Sequence, residues 1–208
     1  MTSSKVIAVT PTEKYFSLTW RLGIRCNYDC MYCSSAWHNN TDTFRSLEEL
    51  QQAWIEIFEK TKVRNLPYKI SFTGGELTAN KNFLPFVTWL KENYSKHLFK
   101  ILASTNGSAS ASYYEKMFES VDNITFSVHS EHIDEQKFFD TVVKLKNNLP
   151  MHKFLHVAIM NEHWNQDRIK LYTDRLDQHR ISYSINEIDY SHQTRESPIF
   201  MGKLNLEI

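Results

Sequence analysis

With 208 residues, and 24 Lys and Arg balanced by 24 Asp and Glu, the chain is long enough for one well-cored α/β domain and carries no charge excess pointing to DNA or an anionic membrane. The N-terminus, Met1-Thr-Ser-Ser-Lys-Val-Ile-Ala-Val9, lacks a long apolar segment, and no run approaches the ~18 apolar residues needed to cross a bilayer. The expectation is one cytoplasmic domain over 1–208, with its body at about 15–189 and a tail at 190–208, and with no membrane partner.

The first predicted strand, Phe16 to Leu22, alternates Phe16, Leu18, Trp20 and Leu22 with Ser17, Thr19 and Arg21. The loop after it holds Cys26, Cys30 and Cys33, which are all three cysteines of the chain. Ser46-Leu-Glu-Glu49 has the capping-box pattern and opens a helix carrying Leu47, Leu50, Trp54 and Phe58 at helical spacing. A second strand, Lys69 to Thr73, sets Ile70 and Phe72 against Ser71 and Thr73 and runs into Thr73-Gly-Gly-Glu76. A helix from about Asn82 follows, with Phe83, Val87 and Leu90 on one side. The third strand, Phe99 to Ser104, ends in Ser104-Thr-Asn-Gly107, and Ser112-Tyr-Tyr-Glu115 reads as a second capping box. In the fourth, Ile124 to His129, Ile124, Phe126 and Val128 oppose Thr125, Ser127 and His129, and Ser130-Glu131 continue the loop. A helix with Phe138, Val142 and Leu145, a strand from Phe154 to Met160, and a helix with Ile169, Tyr172 and Leu176 come next. The sixth strand, Ile181 to Ile188, sets Tyr183 and Ile185 against Ser182, Ser184 and Asn186.

Strand-helix alternation predicts parallel strands joined by right-handed crossovers with helices outside. A closed eight-stranded barrel fills its interior with branched aliphatics, whereas these inner faces are small and polar. The fold class predicted is therefore α/β, a partial (βα)6 TIM-like barrel with an open lateral cleft. Thr19, Arg21, Thr73, Ser127, His129 and Asn186 should line the cleft, and Leu102, Ala158 and Met160 should face inward with them. Ligands bind at the C-terminal ends of such strands. Four polar or glycine-rich loops converge there, and the cysteine loop is one of them.

Three thiolates on one loop can hold three irons of a [4Fe-4S] cube and leave the fourth iron open to a ligand. An odd number of clustered thiols argues against a disulfide framework. Gly74 and Gly75 would let the backbone approach a ligand, and Glu76 offers a carboxylate suited to an ammonium.

Cys26-x3-Cys30-x2-Cys33, with Tyr32 before the last cysteine, resembles the signature of radical S-adenosylmethionine (radical SAM) enzymes, and Thr73-Gly-Gly-Glu76 resembles their second motif. The resemblance implies that Cys26, Cys30 and Cys33 bind a [4Fe-4S] cluster whose free iron chelates S-adenosylmethionine. Glu76, with the backbone of Gly74 and Gly75, would hold the methionine ammonium, and Tyr32 would lie near the adenine. Ser127 would contact ribose or carboxylate. Asn106, from the Thr-Asn-Gly turn, and Met160, from a loose match to the family's adenine strand that also includes Asn161, complete the implied set. The activity implied is reductive cleavage to a 5'-deoxyadenosyl radical that abstracts hydrogen from a substrate. One cluster consumes every cysteine, so the electron must come from an external donor of the flavodoxin or ferredoxin type. Lys14, Arg21 and Arg25 could attract an acidic donor. A cleft open at the side suits a peptide or nucleotide, and a small metabolite is equally compatible.

Two other classes remain at this point. Cys26, Cys30 and Cys33 with His38 would complete a Cys3His zinc module, and an iron-sulfur redox protein would bind a cluster without cleaving S-adenosylmethionine. Tyr28, Trp37 and Phe44 would shield a cluster from water. Among the histidines, His129 is the best placed to touch substrate, ahead of His156 and of His163 with its neighbour Trp164. Glu131, Asp134, Glu187 and Asp189 read as a solvated acidic rim. The segment with Tyr190, His192, Arg195 and Pro198 would close the cavity floor or meet substrate.

Overall fold

The computed structural model describes residues 5–11 (backbone only), 14–33 and 39–190. Seven strands form one sheet in chain order: β1 (Lys5–Pro11), β2 (Phe16–Arg21), β3 (Tyr68–Thr73), β4 (Leu98–Thr105), β5 (Asn123–Val128), β6 (Phe154–Asn161) and β7 (Ser182–Glu187). Strands β2 to β7 run parallel, and β1 pairs antiparallel with β2. Between the parallel strands lie α1 (Leu47–Thr61), α2 (Phe83–Tyr94), α3 (Ala111–Ser120), α4 (Glu135–Asn148) and α5 (Gln166–Gln178). The chain is thus an open, partial (βα) barrel with six parallel strands, as the alternation predicts. Strand β1 is an addition to that expectation. It ends in Pro11, which donates no hydrogen bond and is tolerated at a sheet edge.

The two faces of the sheet separate as the alternation requires. Register pairs Thr19 with Ser71, Ser71 with Leu102, Ser104 with Thr125, Ser127 with Ala158, and Met160 with Asn186, all on the inner face. The opposite face buries Leu18, Trp20, Ile70, Phe72, Ile101, Ile124, Phe126 and Val157 against the helices. Large rings fill this layer edge to face, with Trp20 on Phe86 at 5.5 Å and Trp54 on Tyr68 at 5.2 Å between centroids. Each such side chain contributes about 1.5–3 kcal/mol on leaving water. Stability therefore sits on the outer layer, and the inner face is left for polar groups.

Local signals set the helix starts. At α1, Ser46 Oγ accepts from Glu49 N at 3.1 Å while Glu49 Oε2 accepts from Ser46 N at 2.8 Å, the capping box expected from the sequence. At α3 the expectation is corrected. Ser110, not Ser112, caps the helix by accepting from Tyr113 N at 3.3 Å, and Ser112 already lies in the first turn.

Candidate functional site

The cysteine loop begins where β2 ends, and it is stitched to the loop after β3. Leu22 N donates to Thr73 O (3.1 Å), Gly75 N to Gly23 O (3.0 Å) and Glu76 N to Arg25 O (2.9 Å), so pairing continues past both strands. A Cβ on Gly75 would lie 1.9 Å from the Arg25 carbonyl oxygen. Gly74 has φ +138°, and a Cβ there would lie 2.4 Å from Gly23 O. The glycines are thus required by backbone approaching backbone, where the sequence suggested room for a ligand. They fix the base of the cysteine loop.

The loop is held on two further sides. Asn106 Nδ2 donates to Asn27 Oδ1 at 2.9 Å and lies 3.9 Å from Cys26 Sγ, while Asn27 Nδ2 reaches Ser108 Oγ at 3.0 Å. Met31 N donates to Glu131 Oε2 at 3.1 Å, and a tight turn brings Cys33 N to Cys30 O at 3.0 Å. Glu131 is therefore part of the loop's support and not a solvated rim. Asp134 also has a task, capping α4 by accepting from Lys137 N at 3.1 Å, and Glu187 accepts from Asn161 Nδ2 at 2.7 Å.

One cavity of about 250 Å³ opens at this end of the sheet. Cys26, Tyr28, Cys30, Tyr32 and Cys33 line it from the cysteine loop, Thr73 to Glu76 from the loop after β3, Ser104 to Asn106 from the end of β4, and Ser127 and His129 from β5 and its exit. Six of the seven cofactor residues read from the sequence, Tyr32, Gly74, Gly75, Glu76, Asn106 and Ser127, meet there. Met160 does not line the cavity and stands on the inner face beside Asn186. Thr19, Arg21 and Asn186 likewise lie on the inner face but outside the cavity wall. Thr105 and Tyr28 belong to the wall as well. Thr105 had no signal beyond its place before Asn106, and Tyr28 read as a shield.

Burial pushes the thiols of Cys26, Cys30 and Cys33 up, and nearby carboxylates add to it: Glu76 at Cys26, Glu131 at Cys30 and Asp29 at Cys33. A bound cation reverses that balance by favouring thiolates. The three sulfurs do not gather within the 4.8 Å span that one ion could bridge. A single tetrahedral zinc, with bonds of about 2.3 Å to sulfur, would need them closer. A larger metal body, bound by three thiolates at separate corners, suits this spread. His38 and Trp37 lie outside the described residues.

Glu76 is buried, 2% exposed, yet lines the cavity. Its Oε1 accepts from Thr78 N (2.9 Å), Thr78 Oγ1 (2.7 Å) and Thr105 Oγ1 (2.7 Å), while Oε2, among the described residues, accepts from Asn106 N alone (2.7 Å). Three donors crowd Oε1, whereas the two lone pairs of Oε2 meet one. Oε2 keeps one for a further donor.

Behind the cysteines, the Tyr32 hydroxyl contacts His129 Nδ1 and donates to Glu162 Oε1. Glu162 Oε2 accepts from Ser130 N at 3.1 Å and from Ser130 Oγ. Burial pushes Glu162 up to about 7, against the pull of the Ser130 and Tyr32 hydrogen bonds. Burial also pushes His129 down to about 4, with His132 acting in the same sense. Other sequence candidates are engaged elsewhere, and His192, Arg195 and Pro198 lie outside the described residues. His156 bonds Ser182 and Ser184 through its two ring nitrogens, both at 3.0 Å. His163 stacks on Tyr190 at 4.3 Å, and Arg25 reaches Asp42 O at 3.4 Å and lies over the Phe44 ring.

The family model of the radical SAM superfamily matches residues 20–158. The fold is similar to the crystal structure of Streptococcus suis SuiB, with TM-score 0.63 and 14% identity over 92% of this chain and 45% of that one. It is also similar to the structure of SuiB bound to S-adenosylmethionine, with TM-score 0.59 and 13% identity over 88% and 41%. This chain spans less than half the length of those structures. Comparison with curated protein sequences gives no match. Among the described residues, no helix is long and apolar enough to cross a membrane.

Proposed function

The chain belongs to the radical SAM superfamily, and from that premise we propose that it is an enzyme using a [4Fe-4S] cluster on Cys26, Cys30 and Cys33 to cleave S-adenosylmethionine. One observation carries this reading. Three thiols spread wider than one ion's span share a single cavity wall with Glu76, whose Oε2 has an acceptor place left over.

When bound, the cluster and S-adenosylmethionine supply reductive cleavage and the 5'-deoxyadenosyl radical that abstracts hydrogen. The chain supplies position. Glu76 Oε2 would accept the methionine ammonium as a charge-assisted hydrogen bond, with Asn106 N and the threonines fixing the carboxylate in advance. Gly74 and Gly75 set the distance between Glu76 and the cysteine loop by packing on Gly23 and Arg25. The Tyr32 ring, held through its hydroxyl, would face the adenine, and the Ser127 hydroxyl would reach ribose or carboxylate. Met160, one strand further along the inner face, is the outlying member of the proposed set.

The electron that reduces the cluster would come from an external donor, with a flavodoxin or ferredoxin type as the candidate. The inner face stays open toward β7, which supports a bulky substrate such as a peptide or nucleotide, acted on within a single-domain body at about 15–189. The test is anaerobic reconstitution with iron and sulfide, then S-adenosylmethionine with dithionite and deuterated candidate substrates. The expected results are the cluster's electron-paramagnetic signal, 5'-deoxyadenosine as product, and deuterium carried into it from the true substrate. A chain freed of zinc that still takes up no iron and sulfide on reconstitution, or a cluster that leaves S-adenosylmethionine intact, would overturn the proposal.

A further inference from the structure

The turn after β5 brings up to Cys30 of the cysteine loop two metal-ligating side chains that the proposed function does not use. Cys30 Sγ, a carboxylate oxygen of Glu131 and a ring nitrogen of His132 lie within 4.8 Å of one another. His132 Nε2 is buried and, among the described residues, has no hydrogen-bond partner, which is costly for a ring nitrogen unless something comes to it. It stands 3.7 Å from Glu131 Oε2. We propose that the cluster-free chain binds one zinc ion between Cys30, Glu131 and His132, so that a single thiol serves two mutually exclusive metal sites.

The site is built before any ion arrives. His132 N and Ile133 N both donate to His129 O, at 3.0 and 3.1 Å, closing the turn that presents Glu131 and His132. The Tyr28 ring stacks on His132 at 5.0 Å and sets its plane, and Met31 N orients Glu131 Oε2 at 3.1 Å. Thiolate, carboxylate and imidazole are the donors zinc prefers. Bonds of about 2.0–2.3 Å to one ion close the observed spread with small side-chain rotations. Three protein ligands leave a fourth position for water. Zinc would thus occupy the thiol that a cluster needs and delay its assembly. Only this exclusivity rests on the cluster assignment proposed above; zinc binding itself does not.

The test is titration of the anaerobic, cluster-free chain with zinc against a chromophoric chelator, repeated with cobalt as an absorbing probe. One equivalent should bind, with sulfur-to-cobalt charge transfer at the intensity of one thiolate. His132→Ala and Glu131→Gln should each weaken binding at least about tenfold, while the Cys26→Ala/Cys33→Ala double variant should keep it. Circular dichroism checks each fold, and His132→Ala should still take up iron and sulfide as the parent does. Zinc affinity lost in the double variant but unchanged in His132→Ala would sink the proposal. If His132→Ala loses zinc while neither protein assembles a cluster, the zinc site stands and the cluster assignment fails.

Discussion

The Tyr32 hydroxyl lies 3.1 Å from Oε1 of Glu162, a carboxylate 130 residues further along the chain whose surface is entirely hidden from solvent. A phenol has one proton. When it donates to Glu162, it can only accept from His129 Nδ1, so the contact among the three groups selects the Nδ1–H tautomer of that imidazole. The aromatic residue between two of the cysteines is thereby anchored to β5 and to the exit of β6, not only to its own loop.

This relationship has a pH signature. Glu162 has a folded-state pKa of about 7 against an ordinary value of 4.5. The folded chain thus holds a proton that the unfolded chain has released, and stability falls as pH rises from about 4.5 through about 7, by on the order of 3 kcal/mol in the limit. Glu162→Gln removes the titration but keeps the side-chain shape. Its melting temperature relative to the parent should climb by several degrees across that window and level off above it. A constant offset between the two melting curves at all pH values would refute the assignment.

Gly75→Ala tests the stitching of the cysteine loop. The new Cβ would meet Arg25 O at 1.9 Å, backbone against backbone, so the loop that carries Cys26 must move. Overpacking of this kind costs about 1–3 kcal/mol. Iron uptake on reconstitution should fall further than the drop in melting temperature alone would explain. Normal iron content with a lowered melting temperature would mean that the glycine serves stability only.

Cys30→Ala separates ligand from scaffold. The half-buried thiol contributes little packing, so the variant should fold with a change in stability of less than about 1 kcal/mol and yet lose the visible absorbance of a reconstituted cluster. Retained absorbance and retained cleavage of S-adenosylmethionine would contradict the proposed ligand set.

Much of this was legible in the sequence, and the reason is physical. The strand faces could be read because a period of two is imposed by the pleat itself, as Thr19, Ser71 and Ser127 illustrate by their common inner face. The Ser46 and Glu49 cap is local and was equally clear. At α3 two serines compete, and only the three-dimensional path decides that Ser110 turns its oxygen to Tyr113 N. Strand β1 went unread because Pro11 marks a turn as readily as a strand edge. Glu162 has no local pattern at all. Its role exists through Tyr32 and Ser130, which sequence periodicity does not connect to it. The glycines of Thr73-Gly-Gly-Glu76 were found for one reason and are required for another, since no sequence pattern reveals that Arg25 O fills the space.

Glu76→Gln is the sharpest test of the cavity's ammonium site. Oε1 takes three donors and Oε2 takes the Asn106 amide, so neither oxygen can become an NH2 without facing a donor already in place. With the amide nitrogen at the Oε2 position, Asn106 N loses its acceptor, and one of the two links from residue 76 to the end of β4 is lost while Thr105 Oγ1 keeps the other. Leaving a buried donor unpaired costs about 1–3 kcal/mol. The same change removes the negative charge that a ligand ammonium would meet, so affinity for S-adenosylmethionine should fall more than the fold is weakened. Isothermal titration of the reconstituted variant would show this as a loss of about tenfold or more, with the cluster spectrum intact because the cysteines are untouched. Thr78→Val provides the control. It removes one donor to Oε1 and leaves Oε2 as it is, so it should lower stability by about 1 kcal/mol and leave affinity nearly unchanged. Equal losses of affinity in the two variants would place the ammonium elsewhere in the cavity.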